Sequence, residues 1–283
     1  MSSATVKNNV TVLVCCHKKD FCHEGEGFYP IHVGKALHPE LDLGIPGDNT
    51  GDNISAKNLN YCELTAHYWM WKNGPETKYV GLNHYRRYFD FRSELPRWVP
   101  LRIVGENKIN EIELDLPDLD RELKRHDIIL PRRIVFPHSL ADDYRWAHIN
   151  EDLEILDEVV KGYYPEYYSS FRHIMYRTNW LAHYNMFITR REIFEDYSAW
   201  LFGVLAKAEE KVKISAYPFQ ARVFGYMAER LLNVYVHKHD LKVKYLPVIK
   251  VSDERPLSSG VWFRKLLKNS GAWYLTKGYL NRE

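Results

Sequence analysis

Tyr79-Val80-Gly81-Leu82-Asn83-His84-Tyr85-Arg86-Arg87-Tyr88-Phe89-Asp90 is the stretch that decides how this chain is read. Its first half has the apolar, aromatic bias of a buried strand. Its second half gathers His84, Arg86 and Arg87 among Tyr85, Tyr88 and Phe89. Two adjacent guanidinium groups at a strand end are costly to bury unpaired, and their forked donors match phosphate oxygens. The cluster therefore points to an anionic ligand, with a salt-bridged surface turn as the plainer alternative.

Upstream, Val10–Cys16 (VTVLVCC) is a continuous β-branched run of the kind found in buried parallel strands, and His17, Lys18 and Lys19 follow at its C-terminal end. Open α/β sheets bind ligands beyond the carboxyl ends of their strands. A second extended element is expected over Phe28–Val33. A loop rich in turn residues, Gly44 to Asn53, comes next. A helix is expected from Ser55 to Lys72, capped by Asn53 or Ser55 and stopped by Asn73-Gly74. Strand, loop, helix, strand is the opening of a βαβ unit, so the class is α/β. Asp127–Pro131 reads as another buried strand with Arg132 and Arg133 at its end, and Asn185–Thr189 as a further strand. Helices are expected over Glu151–Lys161, Ile193–Glu210 and Ala221–Val236, and a polar aromatic loop over His138–Asn150. Residues 93–125, charged and punctuated by proline, read as an insertion. The organisation is one domain over 1–250 followed by a distinct tail, 251–283.

The chain has 283 residues, enough for one large α/β domain with a substantial core. A net charge of +2 and scattered basic residues argue against nucleic-acid binding. Aromatics reach 14%, with 20 Tyr and 8 Trp. Such rings suit stacking on sugars, although core packing absorbs most aromatics in any protein. The four cysteines have no disulfide-framework spacing, and reduced thiols are expected. A zinc site from Cys16, Cys22 and His17 or His23 is the minor reading. No signal peptide and no membrane span are expected, which suggests a cytoplasmic protein or one resting on a membrane surface. The tail mixes Trp262, Phe263, Trp273 and Tyr274 with Arg264, Lys265, Lys268 and Lys277. That composition fits an interfacial helix on anionic lipid, or a helix packed back on the domain.

No Gly-x-Gly-x-x-Gly follows the first strand, and neither a P-loop nor a Gly-x-Ser-x-Gly elbow is present. The ordered motifs Asp48-x-x-Gly51-Asp52-Asn53-Ile54-Ser55, Tyr61-Cys62-Glu63-Leu64-Thr65, Tyr68-Trp69-x-Trp71-Lys72-Asn73, the Tyr79–Phe89 stretch, Asn185-Met186-Phe187-Ile188 and Glu229-Arg230-Leu231 do, however, resemble one bacterial family. It is the domain-of-unknown-function family numbered four-four-two-two, found in capsular and exopolysaccharide gene clusters. The resemblance covers roughly residues 10 to 250.

It implies a glycosyltransferase of GT-A-like, Rossmann-type fold, with a mostly parallel sheet flanked by helices. The implied donor is a UDP-hexose, galactofuranose among the candidates, and the implied acceptor is a growing capsular, exopolysaccharide or O-antigen glycan. GT-A enzymes usually carry an Asp-x-Asp pair for a divalent metal where this chain has Asn83 to Arg87. Arg86 and Arg87, helped by His84, are therefore expected to neutralise the leaving diphosphate without a required metal, Asp90 being the residue that could still bind Mn²⁺ or Mg²⁺. His17, Asp48, Asp52, Asn53, Lys57 and Tyr85 are substrate-binding candidates, with the Asp48–Ser55 loop and the Val10–His17 strand cradling the nucleotide, and Asp52 and Asn53 serve equally well as helix caps. Asn185 is the donor-sugar candidate or a turn residue. Glu229 is the expected base, with Glu63 and Asp143 next and Arg230 beside it as a substrate contact. An ion pair of Glu229 with Arg230 is the alternative. Two other classes stay open: a phosphotransferase or nucleotidyl hydrolase using Asp142-Asp143 or Glu151-Asp152, and a non-catalytic glycan-binding protein of the membrane surface.

Overall fold

In chain order the strands are β1 (Val10–Cys16), β2 (Phe28–His32), β3 (Tyr79–His84), β4 (Arg87–Phe89), β5 (Leu101–Val104), β6 (Ile128–Pro131), β7 (Ile134–Val135), β8 (Trp180–Leu181), β9 (Phe187–Arg190), β10 (Val243–Leu246) and β11 (Val248–Val251). The helices are α1 (Asn58–Tyr61), α2 (Leu64–Asn73), α3 (Leu119–Glu122), α4 (Leu140–Ala147), α5 (Asn150–Tyr163), α6 (Pro165–Arg177), α7 (Arg191–Glu209) and α8 (Val223–Lys238). This computed structural model describes residues 9–252; β11 carries the sheet one residue past the expected boundary at 250, and the basic, aromatic part of the tail lies outside the described residues.

β1 is buried along its whole length, as its run of β-branched residues requires. It pairs in parallel with β2 on one side and β3 on the other. β9 runs antiparallel to both β3 and β6, and β10 is parallel to β6. The main sheet thus reads β2-β1-β3-β9-β6-β10, parallel except at β9. A tight turn at Tyr85-Arg86 pairs His84 with Arg87 and carries the chain from β3 into β4. β4, β11 and β5 extend the sheet from there. The expected insertion at 93–125 therefore contributes β5 to this extension.

One face of the sheet, through Leu13, Leu82 and Phe187, packs under the helical layer that supplies Leu64, Phe171, Leu201 and Leu231. The other face carries Val12, Ile129 and Ile188 against Leu119 and Leu123. Each fully buried side chain of this size contributes roughly 1.5–3 kcal/mol relative to exposure. Aromatics do much of this filling: Tyr88, Tyr144, Phe171 and Phe224 are among the largest fully buried side chains.

Two expectations need correction, and one helix is new. The helix expected over 55–72 is broken. A 3₁₀ turn and α1 end at Cys62, whose φ of 54° lies in the left-handed region, and α2 starts at Leu64. Asn58 secures the break, donating from Nδ2 to the Cys62 carbonyl at 2.7 Å and to Thr65 Oγ1 at 3.0 Å. The segment expected to be a loop at 138–150 contains α4, because Ser139 caps it by accepting from the Asp142 amide. α6 has no counterpart in the sequence reading; Pro165 opens it at the first helical position, where the missing N–H is not needed.

Candidate active site

The carboxyl ends of β1 and β3 and the start of β4 open into a cleft of about 520 Å³. Among the sequence candidates, His17, His84, Tyr85, Arg87, Glu229 and Glu63 line it. Tyr184, Cys62 and Arg222 join them from elsewhere in the chain.

Tyr184 organises one wall of the cleft. It has a φ of 78° and is followed by Asn185 at 51°, two left-handed residues in a row just before β9. Backbone held this way costs free energy, and such positions concentrate at functional sites. The Tyr184 amide donates to Glu229 Oε1 at 2.9 Å, and its carbonyl accepts from His84 Nε2 at 2.7 Å. Its ring lies 4.7 Å from the Arg87 guanidinium, within cation–π range.

Because a carbonyl only accepts, the neutral His84 ring carries its proton on Nε2. Burial lowers the His84 pKa first of all, and the Arg87 charge adds to that. His17, edge-on to Tyr85 with ring centroids 5.2 Å apart, is lowered by burial and by Lys18 and Arg222. Burial thus biases both imidazoles toward the neutral form, although Glu63 pulls His84 the other way, and the Nε2–H of His84 is already engaged by Tyr184.

Glu229 is the opposite case. Burial works to raise its pKa, but His183, Arg230 and the Tyr184 amide together outweigh burial and hold the carboxyl below the ordinary value. It stands ionised on the cleft wall. Glu63 accepts from Asn185 Nδ2 at 2.6 Å.

The remaining candidates lie outside the cleft wall. Arg86 is engaged by Asp20 at 2.7 Å and by Glu106 at 2.5 Å, so the expected arginine pair does not face the cleft together. Asp48 is fully buried and accepts from the amides of Gly34 and Lys35 and from Ser55 Oγ. Asn53 Oδ1 accepts from the Ser55 amide and its Nδ2 donates to the Gly51 carbonyl, while Asp52 accepts from the Tyr68 hydroxyl. This loop is tied to the end of α2: a Cβ on Gly51 would meet Asn73 Oδ1 at 2.0 Å. Lys57 pairs with Glu209 at 2.7 Å. Asn185 sits behind Glu63, and Arg230 lies 3% exposed between Asp143 and Glu229, at 3.2 Å from each. The second arginine doublet is structural as well. Arg132 donates to the carbonyls of Pro96 and Val99, and Arg133 stacks 3.5 Å from the centre of Trp180.

Asp48→Ala removes the acceptor for three inward-facing donors. It is expected to lower the unfolding free energy by about 3 kcal/mol, read as a drop in urea midpoint at constant m.

The fold implies a divalent metal at the end of β3, and the donor set there does not fit one. Asp90 is buried beside Arg102, 3.6 Å away, and is not on the cleft wall. Cys16 and Cys22 stand sulfur to sulfur at 3.6 Å while His23 bonds to Asp115. Among the described residues no group of three His, Cys, Asp or Glu side chains is placed to hold an ion. The carboxylate doublets that a phosphotransferase needs are also outside the cleft wall, and Asp142 is bonded to Ser139 and Arg145.

The apo structure of the bifunctional glycosyltransferase WbbM superposes on this chain with a TM-score of 0.78 at 33% sequence identity, over 89% of this chain and 48% of that one. The chain thus spans about half the length of WbbM. No curated protein matches it. The shared architecture is the GT-A-like fold that the motifs imply: a curled, mostly parallel sheet flanked by helices. The family model described as a domain of unknown function (DUF4422) matches residues 11–240, from β1 through the end of α8. With four fifths of its length inside that match, the chain belongs to the DUF4422 family.

Proposed function

We propose that the protein is a glycosyltransferase that moves a hexose, galactofuranose among the candidates, from a UDP-sugar to a growing capsular, exopolysaccharide or O-antigen glycan. The observation that carries this reading is an ionised carboxylate, Glu229, sharing one cleft at the strand ends with the Arg87 guanidinium. The likeness to WbbM, a glycosyltransferase by name, supports it.

In the reaction the acceptor hydroxyl oxygen attacks the anomeric carbon and Glu229 takes the hydroxyl proton. The bond from that carbon to the diphosphate oxygen breaks, and UDP leaves with the electron pair. This is an in-line, inverting displacement. Charge developing on the leaving oxygens is met by fixed positive charge from Arg87. Neutral His84, its Nε2–H spent on Tyr184, holds the wall in shape rather than adding charge. In this scheme the Arg87 guanidinium does the work that a divalent metal would otherwise do on the diphosphate. The reading puts the enzyme in the cytoplasm, with the basic, aromatic residues that follow Ser252 on the anionic inner membrane face. Its support is the tail's composition, in which aromatic side chains are interspersed with Arg and Lys.

The test is a screen of nucleotide sugars for protection against thermal unfolding. UDP and one UDP-hexose are expected to raise Tm, since ligand at 100 times its Kd adds about 2.7 kcal/mol. EDTA is expected to leave both the shift and the turnover unchanged. No shift with any nucleotide would remove the transferase reading, and turnover lost in EDTA and restored by Mn²⁺ would remove the metal-free scheme.

A further inference from the structure

Two guanidinium groups line the cleft, and they come from distant parts of the chain: Arg87 at the start of β4, and Arg222 in the 3₁₀ turn Gln220–Arg222 that leads into α8. Among the described residues neither forms an ion pair with a carboxylate. Arg87 lies over the Tyr184 ring, and its Nε is buried without a hydrogen-bond partner. Arg222 donates from Nε to the Cys62 sulfur at 3.2 Å. That contact fixes the base of the guanidinium fork and leaves its two terminal nitrogens available.

The cleft carboxylates are differently placed. Glu63 accepts from Asn185, and Glu229 accepts from the Tyr184 amide and pairs with Arg230 behind the wall. The negative groups of the cleft are thus satisfied by protein while its positive groups are not. That imbalance calls for an anion with several oxygens, because a guanidinium cannot discharge itself by losing a proton.

Cys62 is built into the arrangement. It is the left-handed residue that breaks the helix between α1 and α2, and Gly225 of α8 packs against it: a Cβ there would meet the Cys62 sulfur at 3.3 Å. Burial, together with Glu63, pushes the Cys62 thiol up to about 12, so at neutral pH it is an uncharged acceptor and does not cancel the Arg222 charge.

Resting on the transferase reading above, we propose that Arg222, aimed by Cys62, forms with Arg87 the clamp for the diphosphate of the nucleotide-sugar donor. Arg222 takes the place in the clamp that the sequence gives to Arg86. Arg222 touches the leaving group and is a catalytic residue; Cys62 acts through it and is a positioning residue.

The test compares UDP with uridine by titration calorimetry on the full chain. Wild type is expected to bind UDP more tightly than uridine. Arg222→Gln is expected to lose about tenfold or more in UDP affinity while uridine affinity stays within about twofold, and Arg222→Lys to recover part of the loss. Cys62→Ala is expected to lose about threefold for UDP alone. A thermal melt of each variant separates loss of binding from loss of fold. UDP binding retained in both Arg222 variants, or an equal loss for UDP and uridine, overturns the clamp and leaves the transferase reading standing. A wild-type protein that binds no UDP removes the donor reading and the clamp with it.

Discussion

Glu229→Gln lowers turnover by about 10² or more and leaves donor affinity unchanged, the size expected when a positioned general base is removed. The substitution is close to isosteric. The glutamine carbonyl can still accept from the Tyr184 amide, so the wall keeps its shape while the basic oxygen is lost. The pH profile carries the same information. Because the Glu229 pKa is depressed in the folded protein, the acid limb of kcat/KM is expected below the ordinary glutamate value of 4.5, and neutral turnover is insensitive to this group. Glu63→Gln supplies the comparison, since Glu63 lines the same cleft. Near-normal turnover in Glu229→Gln with collapse in Glu63→Gln would move the base to Glu63; near-normal turnover in both would end the base-assisted displacement.

The sheet was legible in the sequence because its strands are apolar runs with little alternation: Val10–Cys16 and Tyr79–His84 fall where the reading places them, and they pair in parallel. The site was half legible, and the missing half has a geometric cause. Adjacent side chains on an extended chain or tight turn diverge, so Arg86 and Arg87 face different partners although they read as a pair. Arg86 meets Asp20 and Glu106, and Arg87 meets the cleft. Consecutive residues on a helix are about 100° apart, which puts Glu229 on the cleft wall and turns Arg230 toward Asp143. Arg222 and Cys62 lie 160 residues apart, and no local pattern marks their meeting. The backbone at Cys62, Tyr184 and Asn185 was unreadable for a related reason. None is glycine, and the left-handed pair Tyr184-Asn185 is held by tertiary bonds to Glu229 and Glu63, while Cys62 is held by the side chain of Asn58 four residues before it.

Arg230→Met is expected to cost about 3–5 kcal/mol of stability, the range for breaking a buried ion pair from one side. The guanidinium lies 3% exposed, with its charge shared between Asp143 and Glu229, and it sits 5.1 Å from the centre of the Tyr144 ring. Methionine keeps much of the stem volume, so the loss is mainly electrostatic: two inward-facing carboxylates are left without their cation. The pH dependence gives the sign. In wild type the depressed pKa of Glu229 means that its contribution to stability is present above the ordinary glutamate range and is lost as pH falls through the folded value. Removing Arg230 takes away one of the groups that lowers that pKa. The folded value therefore rises, the contribution shrinks, and the gap in urea midpoint between wild type and variant narrows as the solution is acidified. Among molecules that still fold, the acid limb of turnover moves to higher pH in the same variant, because the base now holds its proton longer. A substrate contact at Arg230 predicts something different: a raised donor KM with an unchanged urea midpoint and an unchanged acid limb. Those two measurements on one variant decide whether Arg230 supports the base from behind the wall or reaches the sugar itself.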